Sequence, residues 1–406
     1  LKEMIRSMVI DVLQGQKQEP ASSQPIKQAP RGQVEPGVFD TVDEAIQAAK
    51  AAQARFEDCT LATREKVIAD IRAAMRPRVQ ELAQKTVDET GMGRVADKVL
   101  KLNLTLNKTP GVEDLVTECE TGDNGMTLYE LSAYGVIGAI TPSTNPAETL
   151  ICNSIGMLAA GNAIFFSVHP GAKHLSRLLV SELNQIIAKS IGIENLIVTL
   201  REPSIESAQE MMLHPDVSLL VVTGGPGVVK QALQSGKKVI GAGAGNPPAF
   251  VDETADIKKA AQDIVLGASL DNNILCIAEK SVVAMRQIEP QLVQEMVKAG
   301  CILLENQQDI QRLVDLTVLP NGTPNKKFVG KNASVILDAA HIPYNGYPRL
   351  SIMRAPKNHP FAVIEMLMPI LPVVTVDSFD EGLDVCLMLE AGLHLSLLHI
   401  YQPTRL

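Results

Sequence analysis

The chain has no tryptophan, and aromatic residues make up only 3% of its 406 positions. Against 46 acidic residues stand 37 basic ones, for a formal charge of −9, and no basic stripe interleaved with aromatics is present to track a phosphate backbone. That argues against a nucleic-acid partner. No apolar run reaches the roughly 18 to 20 uncharged residues that a membrane helix needs, and the first residues lack a signal peptide's apolar core and cleavage site. A membrane is therefore not an expected partner, and a cytoplasmic location is the default. The six cysteines, Cys59, Cys119, Cys152, Cys276, Cys301 and Cys386, include no CxxC pair, and none is followed by His at metal-ligand spacing. Neither a disulfide framework nor a zinc site is suggested, and a GxGxxG fingerprint is missing as well.

The hydrophobic content of 46% suffices for two or three packed domains. At the amino terminus Leu1, Met4, Ile5, Met8, Val9, Val12 and Leu13 recur at helical spacing, so residues 1–16 read as a short amphipathic helix. Residues 17–37 carry Pro20, Pro25, Pro30 and Pro36 among Gln, Ser, Lys and Gly, and read as a linker. The helix could bind a partner's groove or dock on its own body or a sister subunit. From Val38 a charged, Ala-rich helical lead-in begins, with Val42, Ala45, Ile46, Ala49 and Ala52 on one face.

From Tyr134 onward the texture becomes that of apolar runs separated by helical patterns: GVIGAITPS, NAIFFSVHP, NLIVTLRE, SLLVVTGG and KKVIGAGA. This alternation predicts an α/β fold with a doubly wound parallel sheet, whose ligands gather at the carboxyl ends of the strands. At those ends stand Thr141 to Asn145, His169-Pro170-Gly171, Gly224-Gly225-Pro226-Gly227 and Gly241 to Pro248. A GGPG turn between strand and helix can bring backbone N–H groups to a phosphate, although plain turn chemistry is the commoner reason for such a sequence.

A second unit starts near Phe250, where a helix with Ile257, Ala260, Ala261, Ile264 and Val265 on its inner face leads into Cys276. Asp271-Asn272-Asn273 can supply a polar turn with buried donors, and Ile274, Leu275 and Ile277 are expected to wall the thiol off from water. No His or Lys is clearly placed to lower its pKa, so a lone Cys276 reads by default as a small buried hydrophobe. Cys152, Cys301 and Cys386 receive that same reading. Asn145, before Pro146, is by itself a good helix cap, and Glu365 reads as a surface or helix-capping carboxylate.

In order and spacing, TPSTNPAET, TGGPGVV, GAGAGNPP, VDETADI, DNNILCIAEK and EMLMPILPVV resemble the CoA-acylating aldehyde dehydrogenases, from about residue 38 to about 390. The resemblance is to the branch found in bacterial microcompartments, which acts on propionaldehyde or acetaldehyde. It implies a cofactor-binding domain over residues 38–248 and an α/β catalytic domain over 249–390. Cys276 would be the nucleophile, and Asn145 the oxyanion donor together with the Cys276 N–H. NAD is implied as cofactor, held by Thr141, Pro142, His169, Gly224, Gly225, Gly227, Gly241 and Glu365, and coenzyme A as co-substrate. Gly224, Gly225 and Gly227 would lie near the pyrophosphate and Glu365 on the nicotinamide ribose, while His169 stands where many relatives have lysine. Gly241 stands where hydrolytic relatives have a water-activating glutamate. Residues 1–16 resemble that branch's encapsulation tag, which implies a shell or lumen protein as partner and a microcompartment location. Residues 391–406 read as an aberrant tail in which the family's remaining wall and oligomerisation strand are absent, a pattern like a truncation or frameshift. Activity and homo-oligomer assembly are conditional on it.

Overall fold

The structure, a computed structural model, describes residues 35–393 and 399–401. The expected amino-terminal helix and all but the last three residues of the expected linker lie outside the described residues. Glu35 already belongs to the folded body, because its Oε2 pairs with Arg177 at 2.6 Å and with Arg201 at 3.1 Å.

Fourteen strands are described: β1 Val38–Phe39, β2 Glu118–Gly122, β3 Gly125–Tyr129, β4 Val136–Ile140, β5 Ala163–Ser167, β6 Ile197–Leu200, β7 Val217–Thr223, β8 Lys238–Ala242, β9 Pro248–Val251, β10 Ser281–Met285, β11 Cys301–Leu304, β12 Leu350–Arg354, β13 Ile370–Val376 and β14 His399–Tyr401. Two six-stranded sheets hold twelve of them, in the orders β1-β6-β5-β4-β7-β8 and β11-β12-β13-β10-β9-β14. Every pairing in both is parallel.

The apolar runs read from the sequence are β4 to β8. β4, β5 and β6 are buried at every residue, as expected of central parallel strands covered by helices on both faces. The helices Val42–Glu57, Leu61–Met75, Pro146–Ala159 and Lys173–Ile191 supply much of that cover. Val42, Ala45, Ile46, Ala49 and Ala52 are all buried, so the stripe read along the lead-in is its core face. Thr41 caps that helix by accepting from the Glu44 N–H.

The second sheet has its own core of Phe250, Ile264, Val283, Leu292, Val373 and their neighbours. Its edge strand β14 runs parallel to β9 and comes from the stretch read as an aberrant tail. That stretch thus adds a strand where the sequence pattern suggested a break. β2 and β3 form a separate antiparallel hairpin, exposed at every residue.

Candidate active site

Cys276 stands in a turn between the helix Ile257–Ser269 and β10. Asp271, Asn272 and Asn273 lead into it with left-handed backbone, at φ of 50°, 57° and 63°. Asp and Asn tolerate this region better than most residues, yet three in succession need support from their side chains. Asn272 Nδ2 donates to Gly330 O at 2.8 Å and Asn332 Oδ1 at 2.9 Å, and Asn273 Nδ2 donates to the carbonyls of Ala268 and Glu279 at 2.7 and 2.9 Å. Asp271 Oδ1 accepts from Arg94 N at 2.8 Å. Gly93, at φ +78°, permits that approach, since a Cβ there would collide with Asp271 Oδ1. The expected wall is incomplete. Ile274 is buried, but Ile277 is 47% exposed and the Cys276 thiol is only half-buried.

A cation that the sequence pattern did not single out lies under this turn. Lys280 is buried, and its Nζ donates to the carbonyls of Asn273 and Leu275 at 2.9 and 2.7 Å and to Asn273 Oδ1 at 2.5 Å. One ammonium thereby ties together the segment that presents Cys276. Burial pulls the Lys280 amine down to about 8, against the opposing charges of Glu365 and Cys276. Burial, and next the Glu365 carboxylate, raise the Cys276 thiol above its ordinary value. Lys280 and the N–H groups of Cys276 and Ile277 oppose them. Thiolate therefore forms mainly above the ordinary cysteine range, whereas Lys280, at about 8, is charged only below that range and there favours the small thiolate fraction present near neutral pH. Lys280→Met is expected to slow alkylation of Cys276 by iodoacetamide near neutral pH by up to about tenfold, the equivalent of about one pH unit in the thiol's ionisation. An unchanged rate would remove Lys280 from the thiol's control.

The other thiols differ. Cys301 and Cys386 are buried, as expected, and burial pushes both to about 12. Cys152 is exposed on the helix Pro146–Ala159 instead of lying in apolar surroundings, because it sits on that helix's outer face.

Asn145 occupies the N-cap position of the same helix with Pro146 next, but its side chain makes no cap hydrogen bond. Its Oδ1 accepts from Lys101 Nζ, and its Nδ2 donates to Thr144 Oγ1 at 3.2 Å. The Lys101 ammonium also pairs with Asp271 Oδ2 at 2.5 Å and Glu148 Oε1 at 3.3 Å. Beside it Lys98 reaches Asp271 Oδ2 at 2.9 Å and the Thr144 carbonyl at 2.6 Å. Asp97 Oδ2 accepts from the Asp271 N–H at 2.9 Å and from Arg94 Nε at 2.6 Å.

These charges are paired because they are buried: Asp97, Lys98, Lys101, Glu148 and Asp271 are each at most 7% exposed. Burial raises the Asp271 carboxyl, but the charges of Lys101 and Lys98 outweigh it and hold it below the usual carboxylate value. At Lys98 burial dominates, and the amine falls below its ordinary value. The helix Val95–Lys108 turns Lys98 and Lys101 inward beside Leu102 and Leu106, and leaves Leu100 and Leu104 61% and 60% exposed. Part of the lead-in's charge therefore points at the two loops that carry Asn145 and Cys276.

β4 and β7 are neighbours at the point where the strand order reverses, and the segments after them form the crevice expected to hold a dinucleotide. Thr141 is buried there, with an Oγ1 that has no hydrogen-bond partner in the protein, and Pro142 is half-buried beside it. At the start of the helix Pro226–Leu233, a Cβ on Gly225 or Gly227 would meet nothing within 4 Å. The first turn of that helix is therefore open at these two positions. Gly224 has a packing reason instead, since a Cβ there would stand 2.8 Å from Val228 Cγ1. Gly241 lies in β8, and a side chain there would begin 3.1 Å from Val229 Cγ1.

Glu365 is neither a surface nor a capping residue: it is half-buried, and its Oε1 accepts from Gly245 N at 3.1 Å. Burial raises its carboxyl, opposed by Lys280 and by the Gly245 N–H. Cys276, Lys280 and Glu365 thus form one electrostatic group, joined through Gly245 to the segment between β8 and β9. His169 stands apart from it. Its Nδ1 accepts from Gly171 N at 3.0 Å, and desolvation followed by the charge of Lys326 lowers its ring below the ordinary imidazole value.

Residues 13–398 match the model of the aldehyde dehydrogenase family. The propanal dehydrogenase (CoA-propanoylating) of Salmonella typhimurium is 47% identical over 100% of this chain and 85% of its own length. The acetaldehyde dehydrogenase (acetylating) EutE of the same organism is 44% identical over 89% of this chain and 78% of its own. Among solved structures, the Rhodopseudomonas palustris propionaldehyde dehydrogenase with bound CoA and an acylated cysteine has a TM-score of 0.88 at 44% identity, covering 91% of this chain and 84% of that one. The propionaldehyde dehydrogenase from the Clostridium phytofermentans fucose utilisation bacterial microcompartment has a TM-score of 0.88 at 45% identity, over 91% and 85%.

Proposed function

The chain belongs to the aldehyde dehydrogenase family, and on that premise we propose that it is an NAD-dependent, CoA-acylating enzyme that converts propanal to propanoyl-CoA through a thioester on Cys276. The observation that carries this reading is the half-buried Cys276 thiol set above the buried Lys280 cation, on a turn linked through Asp271 and Lys101 to Asn145. Two relatives named for propanal are 47% and 48% identical, against 44% and 43% for two named EutE, which favours the three-carbon aldehyde over acetaldehyde.

The Cys276 thiolate attacks the aldehyde carbon, an S–C bond forms, and the carbonyl electrons move onto oxygen. That oxyanion is met by Asn145 Nδ2–H and the Cys276 N–H. Bound NAD supplies the hydride acceptor. Thr141, Pro142, Gly224, Gly225 and Gly227 would line its crevice, and Glu365 would hold its nicotinamide ribose. With hydride gone, the acyl group remains on Sγ. Gly241 offers no base to activate water, whereas a CoA thiol with a pKa of about 8.5 is partly ionised without help and displaces Cys276 as thiolate.

The relatives include an enzyme from a microcompartment, and residues 1–16 carry an apolar stripe suited to a partner's groove. We place the enzyme in the lumen of such a cytoplasmic compartment, held by that segment to a shell or lumen protein. Exposed Met126 and Leu128 on the β2–β3 hairpin support a homo-oligomer, which elution at monomer mass in gel filtration would contradict.

One experiment tests activity and placement together. The full chain and a chain lacking residues 1–16 are assayed with propanal and NAD, with and without CoA, and for co-purification with microcompartments. Both should form NADH continuously only with CoA, and only the full chain should co-purify. Sustained turnover without CoA overturns the acylating reaction, and co-purification of the shortened chain overturns the docking role.

A further inference from the structure

Lys101 is not among the residues that the reaction needs for bond making, yet its ammonium lies where the two halves of the site meet. It contacts Asn145 Oδ1 directly, Asp271 Oδ2 at 2.5 Å and Glu148 Oε1 at 3.3 Å. Asp271 opens the left-handed turn that leads to Cys276, and Asn145 opens the helix after β4. We propose that Lys101 is a positioning residue that fixes the Asn145 amide with its oxygen held in the buried charge network, so that Nδ2 is the end left to donate to the developing oxyanion. This inference rests on the acylating reaction proposed above.

Donors and acceptors decide the matter. An Asn amide has an oxygen end and an N–H end that occupy nearly the same volume, so shape alone does not choose between two orientations 180° apart. A cation chooses, because it attracts the oxygen and repels the N–H₂ group. Lys101 is only 7% exposed, so water does not screen this choice. Thr144 Oγ1, at 3.2 Å from Nδ2, can also donate to an amide oxygen and would not enforce the orientation by itself. The helix end does not fix it either, since Asn145 makes no cap hydrogen bond. Nor is Lys101 free to move away. The two carboxylates on its other side outweigh the desolvation that disfavours its charge, and its amine is raised above the ordinary value.

Lys98 shares the Asp271 carboxylate but bonds the Thr144 carbonyl, not the Asn145 side chain. It therefore shapes the backbone of the loop and leaves the amide's orientation to Lys101. A neutral side chain at 101 would let the amide turn and spend part of its time with oxygen facing the oxyanion position. Loss of one oxyanion donor typically lowers the rate by about a hundred- to a thousandfold, so partial loss of its orientation is expected to lower kcat by about ten- to a hundredfold.

The test is a double-mutant cycle with Lys101→Met, Asn145→Ala and the pair together, read as kcat and KM for CoA-dependent NADH formation from propanal. Lys101→Met is expected to lower kcat by about ten- to a hundredfold, with the aldehyde KM and the pH midpoint of Cys276 alkylation little changed. On the Asn145→Ala background it should change kcat by less than about threefold, and Lys101→Arg should recover most of the rate. Wild-type kcat in Lys101→Met overturns the inference, and so does a loss of full size on the Asn145→Ala background. If Lys101→Met alone does not fold, because it strands a buried carboxylate, Lys101→Met with Glu148→Gln restores the charge balance and enters the same cycle. A wild-type protein that forms no NADH with CoA overturns the proposed reaction and this inference with it.

Discussion

Cys276→Ala is expected to reduce CoA-dependent NADH formation from propanal to background. No other thiol can take over the attack. Cys301 and Cys386 are buried and hold their protons to about 12, and Cys59, Cys119 and Cys152 lie in other segments, outside the turn that Lys280 supports. The loss should be chemical and not structural. The half-buried side chain sits in a turn whose backbone is held by Asn272, Asn273 and Lys280, so its removal leaves those bonds intact and the melting temperature unchanged. Circular dichroism on heating, beside the NADH assay, separates the two. A measurable CoA-dependent rate in the variant would show that the acyl group passes through another residue.

Asn145→Ala is expected to lower kcat by about a hundred- to a thousandfold while the aldehyde KM changes little. The reason is that an amide donor to the oxyanion acts mainly on the charge that develops as the S–C bond forms, and has little to hold in the uncharged aldehyde. Asn145→Asp should be worse than Asn145→Ala. A carboxylate at that position would draw the Lys101 cation with its oxygens, and it has no donor to offer the oxyanion. A variant that lost only KM would make Asn145 a ground-state contact and leave the oxyanion to the Cys276 N–H alone.

Much of the fold was legible because a parallel sheet covered on both faces writes itself as continuous apolar runs. β4 to β8 are legible that way, and their carboxyl ends carry Thr141 and Gly224. β1 was not legible. Two residues, Val38 and Phe39, are too short a run to show a period, and they become a strand only because Thr199 and Leu200 lie beside them. The tail at 399–401 escaped for a related reason, since its strand is defined by pairing with β9.

In the candidate site, Cys276 and Asn145 read from their own neighbours as a small buried hydrophobe and a helix cap; only the family resemblance gives them the proposed roles, and what supports them was obscure. Arg94, Asp97, Lys98 and Lys101 belong to the charged helical lead-in, where no sequence motif singles them out. Their partners are Asp271 and Asn145, and the Arg94 to Asp271 contact joins residues 177 apart in sequence, which no local window contains. A signal was nonetheless present. Val95, Val99, Leu102 and Leu106 set the buried phase of that helix, and this phase carries Lys98 and Lys101 inward while leaving Leu100 and Leu104 outside. Lys280 had a comparable signal, as a charge that with Glu279 stands directly before the wholly buried run SVVAM, where only a paired or hydrogen-bonded charge is tolerated.

The central claim, that the acyl group is carried on Cys276 until CoA takes it, is tested most directly by withholding CoA. The protein is mixed with propanal and NAD alone, NADH is followed from the first turnover, and the quenched protein is digested and mapped by mass spectrometry. The expected result is a burst of about one NADH per subunit that then stops, with a propanoyl thioester on the peptide carrying Cys276 that disappears when CoA is added. Continued NADH formation without CoA, or an acyl group mapped to any other residue, would contradict the account.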